Sequence, residues 1–85
     1  MKSYLDFRNV IINALVGIKC FAPDKAVELS ANESDDVKLV TLGIDSMSVI
    51  DLCIDIEDHT GREVLIEELI DNPTINKLAK FLSEN

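Results

Sequence analysis

The sequence predicts an all-α fold: a small four-helix bundle of three main helices and one short helix, with a long first loop. Three observations predict it. Apolar residues recur at helical spacing over residues 4–18, 45–61 and 74–82. Glycine and proline punctuate the chain around these stretches, at Gly17, Pro23, Gly43, Gly61 and Pro73. No segment shows the alternation of a half-buried strand, and no internal repeat is present. With 85 residues the chain is expected to be one domain over 1–85. A domain of this size buries a modest core and has no room for a deep catalytic cleft with a scaffold around it.

In the first helix, Tyr4, Phe7, Ile11, Ala14, Leu15 and Ile18 share one face. Ser3 with Asp6 three residues on is a capping-box start, Asp standing in for Glu. The stretch from Lys19 to Asp45 is irregular. Pro23 is expected to open a short helical turn through Val27 to Leu29, followed by the polar run Ser30-Ala31-Asn32-Glu33-Ser34-Asp35-Asp36. Val27, Leu29, Val37, Leu39 and Leu42 are expected to pin this loop to the core. A long loop in a compact domain points to function.

The second helix opens at Asp45 or Ser46, with Asp45 as a good N-cap, and ends near Gly61. Val49, Leu52, Cys53, Ile56 and Thr60 form its core stripe, and Asp51, Asp55 and Asp58 lie on another face. Met47, Ile50 and Ile54 form an apolar strip between the two. A short third helix covers residues 66–70. Asn72-Pro73-Thr74 breaks the chain, with Asn72 expected to cap the last helix and Pro73 in its first turn. That helix carries Ile75, Leu78, Ala79 and Leu82 on one face. The expected core is Phe7, Ile11, Leu15, Val49, Leu52, Ile56, Ile66, Leu69, Ile75, Leu78 and Leu82.

The net charge of −8, from 16 acidic and 8 basic residues, repels phosphate backbones and anionic lipid heads. No nucleic-acid or membrane partner is expected; partners with basic patches are favoured. Cys20 and Cys53 form no C-x-x-C pair, and with the single histidine, His59, they supply no zinc set. Cys53 falls on the apolar face and reads as a buried structural thiol. No secretory signal and no apolar run of ~20 residues is present, so a cytoplasmic chain is expected. Met1 and the full set of elements fit a free-standing, monomeric protein.

Chemistry concentrates at Leu42-Gly43-Ile44-Asp45-Ser46-Met47. Glycine lets the chain turn close to the bundle, and the serine falls in the first turn of a helix with its hydroxyl expected to point outward. A phosphate ester there would face unpaired N–H groups and the positive end of the helix dipole. Asp45 partly offsets that attraction. Taken alone, Asp-Ser before an apolar run reads in most cases as a pair of capping residues.

The longer context decides between them. Leu42-Gly43-x-Asp45-Ser46-Met47 followed by an acidic amphipathic helix resembles the carrier-protein family of acyl carrier proteins and peptidyl carrier domains. Asn72-Pro73-Thr74-Ile75 with Leu78-Ala79 is similar to the N-P-T-I-x-x-L-A pattern that opens the last helix of many modular carriers. The resemblance runs from about Asp36 to Leu82. It implies a non-enzymatic carrier whose Ser46 holds a covalent 4'-phosphopantetheine arm derived from coenzyme A, with Asp45 as its motif neighbour. A phosphopantetheinyl transferase would install the arm. Acyl- or aminoacyl-loading enzymes, condensing synthases and tailoring enzymes with basic patches would then dock on it. The resemblance aligns Asp51, Glu57 and Asp58 with the family's acidic docking positions, and Met47, Ile50 and Ile54 with its apolar ones.

The charge distribution agrees. Asp45, Asp51, Asp55, Glu57, Asp58, Glu63, Glu67, Glu68 and Asp71 face a single base, Arg62, in that stretch. Charge steering with a small apolar contact suits a carrier that visits several enzymes and leaves each quickly. Ser48 stands where fatty-acid carriers often have an acid, the first loop is longer than in compact fatty-acid carriers, and the N-P-T-I ending leans toward polyketide or nonribosomal-peptide systems. Specialised fatty-acid synthesis is the third setting.

Three rival readings use the same residues. A calcium-binding loop beginning at Asp55 has Gly61 in the wrong place and Ile66 where the bidentate acid belongs. A hydrolase using Ser46 lacks a base, since His59 is more than three helical turns away, and the glycine spacing departs from a nucleophile elbow. A helical adaptor that binds a partner through Met47, Ile50 and Ile54 without a prosthetic group remains the alternative. If the acids dock partners, reversing Asp51 and Asp58 to Lys lowers transfer by roughly tenfold at low ionic strength and flattens its salt dependence. Unchanged transfer kinetics at low salt would contradict that role.

Overall fold

The computed structural model describes residues 3–18, 22–32, 34–43 and 45–84, with the backbone alone at Ser46. Among these residues five α-helices occur: α1 (Tyr4–Gly17), α2 (Pro23–Ala31), α3 (Ser46–Thr60), α4 (Ile66–Asp71) and α5 (Ile75–Glu84). A 3₁₀ turn, Leu39–Leu42, precedes α3. The described residues hold no strand; an isolated antiparallel bridge joins Lys38 to Thr74. The all-α bundle expected from the sequence is what forms.

The capping box at α1 is present. Ser3 N donates to Asp6 Oδ2 at 3.1 Å and Asp6 N to Ser3 Oγ at 3.3 Å. α1 packs against α5, α3 and α2, and α4 packs against α3. Ile11, Ile12, Leu15, Leu52, Ile56, Ile75 and Leu78 are fully buried at the centre. Burying each such side chain contributes about 1.5–3 kcal/mol before entropy is counted. Arg8 lies buried beside them on α1.

Four expectations need correction. The short turn at Pro23 is a nine-residue helix: Pro23 sits at its first position after extended Ala22, and Ala26 and Leu29 bury one face. Val27 does not pin the loop, because it projects from the opposite side of α2 and is exposed, whereas Leu29 and Leu39 are buried. In the core list, Ile66 is 44% exposed, whereas Val49 is half-buried and packs against the core. On the six-residue α4, Leu69 takes the inward position, which leaves Ile66 and Ile70 one turn apart on the outer side.

Asn72 caps the wrong helix for the expectation: its Nδ2 donates back to Glu68 O at 2.9 Å, at the end of α4. α5 is capped by Thr74, whose Oγ1 accepts from Lys77 N at 3.1 Å, and by Asp36, whose Oδ1 accepts from Asn76 N at 2.9 Å. The reason is local pairing. Pro73 O accepts from Leu39 N at 2.8 Å and Val37 O from Ile75 N at 3.1 Å, so residues 73–75 run alongside 37–39 as the helix begins at Ile75, which leaves Pro73 before the helix rather than in its first turn.

Gly61 ends α3 at φ 74°, its N–H donating to Glu57 O at 2.7 Å. Arg62 then pairs with Glu68 at 3.3 Å and stacks over the Phe81 ring at 5.5 Å, tying the α3–α4 connection to α5. Burial would raise the Glu68 carboxyl, but hydrogen bonds from Arg62 and the Leu65 N–H hold it below its ordinary value. Gly61→Ala forces a side chain into the left-handed region and is expected to cost about 1 kcal/mol. The check is thermal unfolding; an unchanged Tm would contradict the C-cap assignment.

Candidate functional site

The candidate site is the entrance to α3, and the preceding chain fixes where it lies. The 3₁₀ turn hangs from Pro73 through the Leu39 N–H and is closed by Thr41, whose N–H and Oγ1 both donate to Lys38 O, at 3.0 and 2.7 Å. Gly43 follows at φ 69°, a left-handed conformation that suits glycine. Asp45 is extended, and its Oδ1 accepts from Ser48 N at 2.8 Å while its carbonyl accepts from Val49 N at 3.0 Å. Asp45 is therefore the N-cap, as predicted, and Ser46 is the first residue of α3. The outward orientation expected for the Ser46 hydroxyl, like the state of Cys20, lies outside the described residues.

Hydrogen bonds from Ser48, foremost its backbone N–H, hold the exposed Asp45 carboxyl below its ordinary value. The cap is therefore charged at neutral pH. The other amides of the first turn have no partner within the helix ladder. That donor set fits a phosphate ester on the first residue, with the Asp45 charge opposing it.

Beside this entrance lies an apolar groove of about 510 Å³ between α3, α4 and the 3₁₀ turn, lined by Leu39, Val40, Asp45, Val49, Ile50, Ile66, Leu69, Ile70 and Pro73. Among the described lining residues Asp45 is the one that is charged. A second, shallower hollow of about 330 Å³ continues past Ile50 and Ile66 to Cys53, Ile54, Val64 and Leu65, rimmed by Glu57, Glu63 and Glu67.

The predicted apolar strip is at the surface: Met47 is 73% exposed, Ile54 50% and Ile50 46%. Ile50 separates the two hollows, Ile54 lines the second, and Met47 lines neither. Asp51, Glu57 and Asp58 are exposed on the same helix, with Asp55 half-buried. The sequence reading missed the exposed Val40, Ile66 and Ile70. Ile66 and Ile70 lie four apart on a helix too short to show which side faces the core; Val40 carried no signal. Cys53 is buried and unpaired, and burial, with the nearby Glu68 charge, pushes its thiol up. That makes it a poor nucleophile.

His59 lies at the far end of α3, about 20 Å along the axis from Ser46 at 1.5 Å per residue, its Nδ1 within 2.8 Å of Asp55 O. Among the described residues no three His, Cys, Asp or Glu side chains are grouped to hold a metal ion. No helix there is long and apolar enough to cross a membrane.

The fold is a small helical bundle in which an Asp45-capped helix begins at Ser46 and carries acids on its exposed faces. A family model described as the phosphopantetheine attachment site matches residues 25–82, most of the chain. The protein belongs to that family, whose members carry covalent 4'-phosphopantetheine. Neither the curated proteins nor the solved structures give a significant match.

Asp45→Ala is expected to lower the Tm by removing the cap, whereas Asp45→Asn keeps an acceptor and most of the stability. The sign of the pH effect follows from the lowered folded-state pKa. The charged cap stabilises fully above the unfolded value near pH 4, and that contribution fades as pH falls through the folded one. Acid unfolding of wild type and Asp45→Asn checks this; identical acid limbs would contradict it.

Proposed function

We propose that Ser46 is the attachment residue and that the chain carries acyl groups with an apolar tail, held as thioesters and presented to partner enzymes. The observation that carries this reading is the junction of motif and groove. Ser46 opens α3 inside the matched span, next to Asp45, and Asp45 lines the apolar groove. The arm supplies a thiol that keeps an acyl carbonyl activated and lets it reach successive active sites at high effective concentration.

The chain's own residues do the rest. Asp45 fixes the start of α3 and so the position of Ser46. A transferase would supply the base for the serine hydroxyl, which accounts for His59 being distant. The groove's volume lies in the range of small-molecule sites. With a single charged residue in its lining, it suits an alkyl chain better than an amino acid, whose ammonium and amide groups would lose water without partners.

Docking falls to the exposed face of α3: Met47, Ile50 and Ile54 for contact, Asp51, Glu57 and Asp58 for steering toward basic patches. The partners would be a phosphopantetheinyl transferase, a loading enzyme, and condensing or tailoring enzymes. Polyketide, nonribosomal-peptide or specialised fatty-acid synthesis is the setting, and the apolar groove favours the acyl-based two. The adaptor alternative uses the same exposed strip, but it leaves the family match without a role.

Incubated with coenzyme A and a broad-specificity transferase, wild type is expected to gain one phosphopantetheine by intact mass and Ser46→Ala none. Modification of Ser46→Ala would move the site. On the wild-type carrier, an octanoyl thioester is expected to resist hydroxylamine several-fold longer than an acetyl thioester. Equal lifetimes would remove the groove from the account.

A further inference from the structure

Arg8, on the second turn of α1, is 1% exposed, and neither the attachment site nor the docking face uses it. Its guanidinium makes four hydrogen bonds, reached from three directions. Nε donates to Asn76 Oδ1 at the start of α5 at 2.7 Å, and Nη1 donates to Leu29 O. Nη2 donates to Asn32 O at 3.1 Å and to Asp35 O at 2.5 Å. Among the described residues the ion pairs are Lys25–Glu28 and Arg62–Glu68, so no described carboxylate pairs with this cation. Main-chain carbonyls and one amide hold it.

Those carbonyls are informative. Leu29 O is one of the last four of α2, which have no partner inside the helix and form the negative end of its dipole. A cation there both fills the orphan acceptor and meets the dipole. α2 has little else to hold it, since Ala26 and Leu29 are its buried residues. Beyond Asn32 the chain turns through Asp35, whose N–H donates to Asn32 O at 3.1 Å, and reaches Asp36. Asp36 Oδ1 takes the Asn76 N–H, so Arg8 and Asp36 grip the same residue of α5 from two sides. Residues 37–39 then pair with 73–75, and Leu39 and Val40 form one wall of the groove.

We infer that Arg8 is a positioning residue: its buried guanidinium clamps the end of α2 to Asn32 and Asp35, and through them sets the Leu39–Val40 wall beside the start of α3. The functional meaning of that wall rests on reading the groove as the shelter of an acyl chain; the clamp itself does not. Removing one side of such a charge-assisted network leaves acceptors without donors, and the loss falls first on the segments that Arg8 holds.

The test is amide hydrogen exchange on the full chain, wild type against Arg8→Met, where circular dichroism shows the helices retained. Amides over residues 26–42 are expected to exchange roughly tenfold faster or more, while those of Leu15, Ile56 and Leu82 keep wild-type rates. In the same variant the octanoyl thioester loses its resistance to hydroxylamine and the acetyl thioester does not change. Wild-type exchange over 26–42, or equal acceleration in every helix, would overturn the clamp. Selective loosening with unchanged octanoyl lifetime would overturn the positioning of the wall.

Should Arg8→Met fail to fold, Arg8→Lys keeps the charge but reaches fewer carbonyls. The same selectivity is then expected at smaller amplitude, and uniform or absent acceleration overturns the proposal. Equal octanoyl and acetyl lifetimes on wild type would sink the groove reading by themselves, and the exchange pattern would then decide Arg8 alone.

Discussion

One side of α3 packs on α1, and the rest of the structure depends on that contact. Leu52 and Ile56 are fully buried there, which fixes the helix in rotation as well as position. A helix held by one stripe presents its other faces without further cost in packing. Met47, Ile50 and Ile54 are exposed for this reason, with the acids of α3 distributed beside them. A chain of 85 residues has a small core.

The same economy shapes the helix entrance. Asp45 closes the first turn and carries the charge, so Ser46 is left with no structural task at its own backbone beyond starting the helix. The chain reaches that point through a left-handed Gly43 and a 3₁₀ turn hung from Pro73, which places the entrance against the α4–α5 junction. An apolar groove results where α3, α4 and the turn meet. The start of α3 thus combines an exposed, charged cap with an apolar hollow beside it.

The periodic elements were legible because their patterns are long. Fourteen residues of α1 and fifteen of α3 give several turns each, enough for the apolar stripe, the Ser3 and Asp45 caps and the Gly61 stop to be read directly. α2 was underestimated because its nine residues bury only Ala26 and Leu29, too few to stand out from a turn. α4 misled through brevity, placing Ile66 inside when it lines the groove.

Asn72 was assigned to the wrong helix because its side chain can reach either one, and only the pairing of residues 37–39 with 73–75 decides. Arg8 was the largest omission. It stands four residues before Ile12 and seven before Leu15, at a core position of the stripe, yet a charged residue there is discounted unless its acceptors are known. Those acceptors are Leu29, Asn32, Asp35 and Asn76, remote in sequence and invisible to any local pattern.

The central claim is that one hydroxyl, at the first position of α3, anchors the arm. Fragmentation mass spectrometry of the chain isolated from its native host localises any modification to a single residue. The account predicts a phosphopantetheine on Ser46 with an apolar acyl group on its thiol. An arm mapped to Ser48 or to any residue outside the entrance of α3 would contradict it, as would a chain that bears none in the presence of an active transferase and coenzyme A.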